Sequence, residues 1–197
     1  MLNAYLSFGK KDSVLEFFAY RLQRNGWKLF GSTGTAAYLN THAISAEVLG
    51  DSILNHRVVS LCREVHAGLL AREPQDKAEM DRLGLKFLHM AIVNLYDTEP
   101  LIAEKGSSVQ AYDEINEKTD IGGPTIARSA IKGGRIVLCD PKPYELDVLV
   151  QWIASGCPQR RETLAEQWAE AEQRVATYTE MIARYRKQYL AKLREAL

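Results

Sequence analysis

The stretch DIGGPTIARSAIKGG, Asp120 to Gly134, joins an acid and a glycine pair to a proline and a helical run carrying Arg128 and Lys132. Four residues apart on a helix, those two cations share a face and oppose each other by about 0.2–0.5 kcal/mol. A bound anion or nearby carboxylates would offset that repulsion, and Asp120 just upstream is the nearest candidate. Pro124 suits the first helical position, where no N–H partner is needed, and Gly122 and Gly123 leave the backbone before it open. Tyr96 closes the apolar run HMAIVNLY and falls at the same edge of the fold. The alternative reading is a solvated cationic face with Asp120 in a turn.

Two earlier segments suit an anion. SFGKKDS follows the first strand-like run and offers Ser7, Gly9, Lys10 and Lys11 just before a helix. GSTGTAA follows the second, where Gly31 and Gly34 relax the backbone and Ser32, Thr33 and Thr35 supply hydroxyls. Free N–H groups at a helix N-terminus favour an anion, above all a phosphate. Clusters of this kind are also ordinary turns, so each segment leaves both readings open. Arg57 and His66 flank VVSLCREV, and a histidine after such a strand-like run is ordinarily structural.

These residues need a frame, and the hydrophobic pattern supplies one. AYLSF, WKLFGS, HMAIVNLY and RIVLCD read as strands. DSVLEFFAYRLQRNG reads as a helix with Ser13 and Glu16 as its capping box and Gly26 as its stop. TAAYLNTH, DKAEMDRLG, VQAYDEINEKT, TIARSAIKGG and YELDVLVQWIASG read as further helices. Residues 40–72 give no clear pattern. Strands alternating with helices predict an α/β domain over residues 1–157 with a mostly parallel sheet. Beyond Pro158 the spacing of Leu164, Trp168, Ala171, Val175, Tyr178, Ile182, Tyr185, Tyr189 and Leu193 predicts one long amphipathic helix over 158–197. Its seam suits packing along the domain or a partner subunit, and the spacing also fits a coiled coil.

Bulk composition narrows the function classes. The chain has 197 residues, 46% hydrophobic and 25% charged, with a formal net charge of zero, which gives no footprint for nucleic acid or a membrane surface. No apolar run approaches the roughly 20 residues of a membrane span, and the N-terminus does not read as a signal peptide. Cys62, Cys139 and Cys157 form no CxxC, which suggests reduced thiols in a cytoplasmic protein. His42, His56, His66 and His89 lack metal-ligand spacing, so no metal is expected.

The order RVVSLCREVHAGLLAR, NLY, DIGGPTIARSAIK and DPKPY resembles the inosine monophosphate cyclohydrolase domain, the N-terminal half of a bifunctional purine-biosynthesis enzyme. The likeness runs from about Tyr5 to Tyr189, and the transformylase half is absent. The resemblance implies a methylglyoxal-synthase-like α/β fold, a homodimer, no cofactor, and closure of 5-formamidoimidazole-4-carboxamide ribotide to inosine monophosphate with loss of water. It implies a 5′-phosphate grip on Lys11, Ser32, Gly34 and Thr35, a catalytic set of Tyr96, Asp120 and Lys132, and Arg57, Ser60 and Gly122 along the rest of the purine ribotide. The sequence departs from the family at Gly9, where members carry a serine, and in RVVSLCR, where the family reads like RVKTLHP. There Val59 replaces a catalytic lysine, and Cys62 and Arg63 replace the histidine and proline. These departures leave three roles open: the cyclohydrolase itself, a paralogue acting on a related ribotide, or a nucleotide-binding module without turnover.

Overall fold

The computed structural model describes residues 2–50, 52–54 and 57–195; His56 lies outside them. The elements are β1 (Leu2–Phe8), α1 (Ser13–Arg24), β2 (Trp27–Gly31), α2 (Thr33–Thr41), β3 (Ala46–Val48), α3 (Arg63–Leu70), α4 (Lys77–Arg82), β4 (Met90–Asn94), α5 (Glu99–Lys105), α6 (Val109–Glu117), α7 (Gly122–Lys132), β5 (Ile136–Cys139), α8 (Pro143–Ala154) and α9 (Arg160–Glu195). The strands form one five-stranded sheet in the order β3-β2-β1-β4-β5, and every pairing is parallel.

Strands β1 and β4 are apolar almost throughout because both faces of the sheet are covered. Alternate residues serve alternate faces. Leu6 and Ile92 pack with Leu15, Phe18 and Leu22 of α1, Leu39 of α2, and Leu146 and Leu149 of α8. Tyr5, Ala91 and Val93 pack with Val65 and Leu69 of α3 and with Ile126 and Ala130 of α7 on the other face. The parallel sheet and its flanking helices therefore agree with the α/β reading of the sequence.

Helix α9 is 36 residues long, roughly 54 Å at the usual rise. Leu164 joins the first core, while Ala171, Val175, Tyr178 and Ile182 join the second. Between them the Trp168 indole donates to the Arg135 carbonyl at 2.8 Å. The helix thus passes across edge strand β5 from one face of the sheet to the other. An uncovered edge is a template for unwanted strand pairing, and α9 removes it. Farther along, Tyr185 packs on Ala111 and Ile115 of α6. Among the described residues no helix is long and apolar enough to cross a membrane, and Cys62, Cys139 and Cys157 are unpaired.

Several local expectations need correction. Asp12, not Ser13, caps α1 by accepting from Val14 N; Glu16 instead accepts from the Tyr38 hydroxyl at 2.5 Å. The strand-like VVSLC forms only an isolated bridge, Ile53 to Val58, and CREV turns into α3. The apolar residues there line a cavity wall and a helix cap, which imitates the composition of a strand. Pro124 is the third residue of α7, still within the first turn, where its missing N–H leaves no bond unmade.

Candidate functional site

The sheet order reverses at β1, which pairs with β2 on one side and β4 on the other. Such a switch point opens a crevice beyond the carboxyl ends of the two central strands. An open cleft of about 1800 Å³ lies there. The loop after β1 brings Gly9 and Lys11, the turn after β2 brings Ser32 and Gly34, and the segment after β4 brings Tyr96. Arg57, Val59 and Ser60 come from the segment before α3, and Asp120 and Gly122 from the start of α7.

On the β1–β2 side, Ser32 is the N-cap of α2, and its side chain does not cap the helix. Its hydroxyl donates instead to Thr35 Oγ1 at 3.0 Å. The same Thr35 oxygen accepts from Phe8 N at 3.2 Å. Thr35 is fully buried. It therefore lies beneath the cleft and ties the end of β1 to α2, whereas Lys11, Ser32 and Gly34 of the expected phosphate grip line the cleft itself. Lys11 is exposed as a whole, yet its tail folds inward. Its Nζ donates to the Phe8 carbonyl at 3.1 Å, and its Cε would stand 3.3 Å from a Cβ on Gly34. Burial of that ammonium lowers its pKa. A half-desolvated cation beside the unpaired N–H groups of a helix start is suited to an anion.

On the β4–α7 side, Asp120 stands just before the N-cap of α7, Ile121, and reaches the first turn. Its Oδ1 accepts from Gly123 N at 2.8 Å, and its Oδ2 accepts from Tyr96 N at 3.2 Å. These bonds lower the carboxyl pKa, but burial outweighs them and the net shift is upward. A carboxyl held above its ordinary range is a stronger base when ionised, which proton transfer near neutral pH requires. Burial, and then the neighbouring Asp120, raise the Tyr96 phenol in turn, so it stays protonated. A Cβ on Gly122 would meet the Ser60 hydroxyl at 2.5 Å; glycine lets that buried hydroxyl reach the start of α7. Arg57 stands on the same rim, paired with Glu117 at 2.9 Å.

Arg128 and Lys132 lie elsewhere. Both are exposed on α7. Arg128 pairs with Glu172 of α9 at 3.0 Å, so the carboxylate opposing that cation comes from the terminal helix rather than from Asp120. Lys132 ends α7, roughly 15 Å along the axis from Gly122 at the usual rise. It does not line the cleft, and its place in the last turn is the one the helix dipole favours for a cation. Within one chain, Tyr96 and Asp120 therefore stand together and Lys132 stands apart from them.

Three further residues at the site escape a reading of the sequence. Asn94 accepts from Lys10 N at 3.0 Å and donates to Asp140 at 2.6 Å. Arg174 and Tyr178 of α9 also line the cleft. The one signal for Tyr178 was a hydroxyl within an apolar seam, which needs a partner once buried.

Residues 14–125 match the sequence model of the MGS-like domain. The chain belongs to the MGS-like domain family. The matched residues hold Ser32, Gly34, Arg57, Ser60, Tyr96, Asp120 and Gly122, whereas Lys11, Lys132 and α9 fall outside them. The crystal structure of ForH resembles this MGS-like chain with a TM-score of 0.72 and 22% identity, covering 97% of each chain. At that identity the likeness is one of fold, and its coverage includes the terminal helix.

Proposed function

We propose that the chain closes the purine ring of 5-formamidoimidazole-4-carboxamide ribotide, yielding inosine monophosphate and water. The observation that carries this reading is the meeting of two chemically different edges in one cleft: Lys11, Ser32 and Gly34 on one side, and Tyr96, Asp120, Ser60 and Arg57 on the other. The first edge suits the 5′-phosphate, and the second suits the carboxamide and formyl groups. The carboxamide nitrogen attacks the formyl carbon while a proton leaves that nitrogen and the formyl oxygen gains one. The resulting hydroxyl then departs as water, with the proton of the former formamide nitrogen, as the C=N bond forms. Asp120 is suited to accept a proton, and Tyr96 to donate one to the oxygen. Each positioned acid or base contributes about 10²–10⁴-fold.

A related ribotide is the second reading, and Val59 favours it. That residue lines the cleft, and the family resemblance expects an ammonium at its position. Such a substrate would present a smaller or apolar group to Val59. The test is purified protein with the formylated carboxamide ribotide, followed by absorbance for purine formation. Turnover supports the first reading. Tight binding of purine nucleotides without turnover supports a binding module, and no binding of any ribotide removes all three readings.

A further inference from the structure

We propose that Arg174 and Tyr178, one turn apart on α9, are positioning residues that hold the two edges of the cleft in register. The inference rests on the cleft being the working site.

The Arg174 guanidinium serves the phosphate-suited edge. Its Nη1 donates to the carbonyls of Cys139 at 3.2 Å and Asp140 at 2.5 Å. Glu145 and Glu170 hold the rest of the group at 2.6 and 2.8 Å. Asp140 takes a left-handed backbone, with φ of 50°, a conformation in which aspartate is enriched among non-glycine residues. Its carboxylate accepts from the Asn94 side chain at 2.6 Å. Asn94 in turn receives Lys10 N through its side-chain oxygen and Gly9 N through its carbonyl, both at 3.0 Å. The path from α9 therefore ends on the backbone of the loop that carries Lys11.

Tyr178 serves the other edge. Its hydroxyl accepts from Asp120 N at 2.7 Å. The Asp120 carboxylate then fixes the backbone N–H groups of Gly123 and Tyr96. Residues four apart on a helix share a face, so one rigid helix spaces both loops. Leucines at 174 and 178 would serve for packing alone. Instead, each polar group ends on the backbone of a cleft loop or its support, with one guanidinium nitrogen of Arg174 bridging two adjacent carbonyls.

The test uses the full chain with Tyr178→Phe, Arg174→Gln and the charge-keeping Arg174→Lys, each checked for melting temperature. Amide hydrogen exchange, inorganic phosphate affinity and ribotide turnover are then measured. Tyr178→Phe should speed exchange at Gly123 and Tyr96, lower kcat by about 2- to 30-fold, and leave phosphate affinity and the Gly9 and Lys10 amides unchanged. Arg174→Gln should do the reverse: faster exchange at Gly9 and Lys10 and phosphate affinity down by a similar factor, with partial rescue in Arg174→Lys. If Arg174→Gln fails to fold, Arg174→Lys carries that arm with a smaller shift in the same amides. Uniform change across all four amides in both variants, or none in either, overturns the proposal. A wild type that turns over no ribotide while the crossed exchange pattern persists refutes the proposed reaction and leaves the positioning role standing. Turnover unaffected by either variant, with uncrossed exchange, does the opposite.

Discussion

The ring of Tyr96 rests against the bare backbone of Gly9: a Cβ there would stand 2.7 Å from Tyr96 Cδ1 and 3.2 Å from the Leu95 carbonyl. The family resemblance expects a serine at this position. Here the proposed phosphate loop and the proposed proton donor occupy one another's space, so Gly9 and Tyr96 act as a pair. Gly9→Ser should therefore push the ring aside. Over-packing costs about 1–3 kcal/mol when nothing can move, but a half-exposed tyrosine can swing. The expected result is a lower rate of ribotide closure with little change in melting temperature. An unchanged rate would show that the Tyr96 hydroxyl is not held for the chemistry.

Lys11 predicts how anion binding depends on pH. Burial lowers its ammonium below the ordinary lysine value of 10.5, and a bound anion favours the charged form and raises it again. Binding then takes up protons, so affinity is full below the lowered value and falls as pH rises through it. Folding of the free protein has the opposite slope. The native state holds fewer protons than the unfolded state in that window, so stability rises with pH there. Calorimetric titration of a nucleotide monophosphate above pH 8, where the phosphate stays a dianion, isolates Lys11. Lys11→Gln should remove the falling limb and weaken binding by about 1.5–3 kcal/mol, the usual worth of a hydrogen bond to a charged group. A falling limb that survives the substitution assigns it to another group.

The sheet and most helices were legible because β1, β4 and α1 combine local propensity with a strong apolar pattern. The cleft was legible in part, since the Ser32–Gly34 turn and the Asp120–Gly122 segment announce themselves by glycines and hydroxyls at helix starts. Burial was not. Thr35 has the same chemistry as Ser32, and only packing decides that one lines the cleft and the other ties it from beneath. The partner of Arg128 was hidden for a different reason: Glu172 lies 44 residues away on another helix, and no local spacing encodes that distance. Lys132 is the same lesson reversed, because a residue near Asp120 in sequence ends a helix length away.

Helix α9 should be needed for a stable fold. Ile182 is buried against the second core, and Ile182→Ala should cost about 2–5 kcal/mol in denaturant unfolding. Arg128→Ala removes an exposed ion pair and should cost under about 1 kcal/mol. Ending the chain at Gly156 removes the cover of β5 and the partners of Leu164-side and Tyr178-side cores together, and should leave an aggregating protein. A soluble truncated monomer with the same melting temperature would mean that α9 is dispensable for stability.

Val59 and Lys132 separate the remaining functional readings. Val59 lines the cleft and has no group that moves a proton. If a missing ammonium limits ring closure, Val59→Lys should raise the rate on the formylated carboxamide ribotide, by up to the 10²–10⁴-fold typical of a positioned acid–base group. A specialised paralogue predicts a different pattern: slow closure by the wild type, little help from the lysine, and faster reaction of a ribotide with a smaller or apolar group. Lys132 gives the complementary reading. Within one chain it stands at the far end of α7 from Asp120, so Lys132→Ala should leave turnover within about twofold, with a stability change within about 0.5 kcal/mol as is usual at the surface. A loss of several orders of magnitude would mean that Lys132 reaches a working site in another way, and sedimentation should then show a dimer in which one copy's Lys132 serves the other's cleft. A loss of turnover in a protein that sediments as a monomer would instead require α7 to move, and this arrangement of the cleft would not be the reacting state.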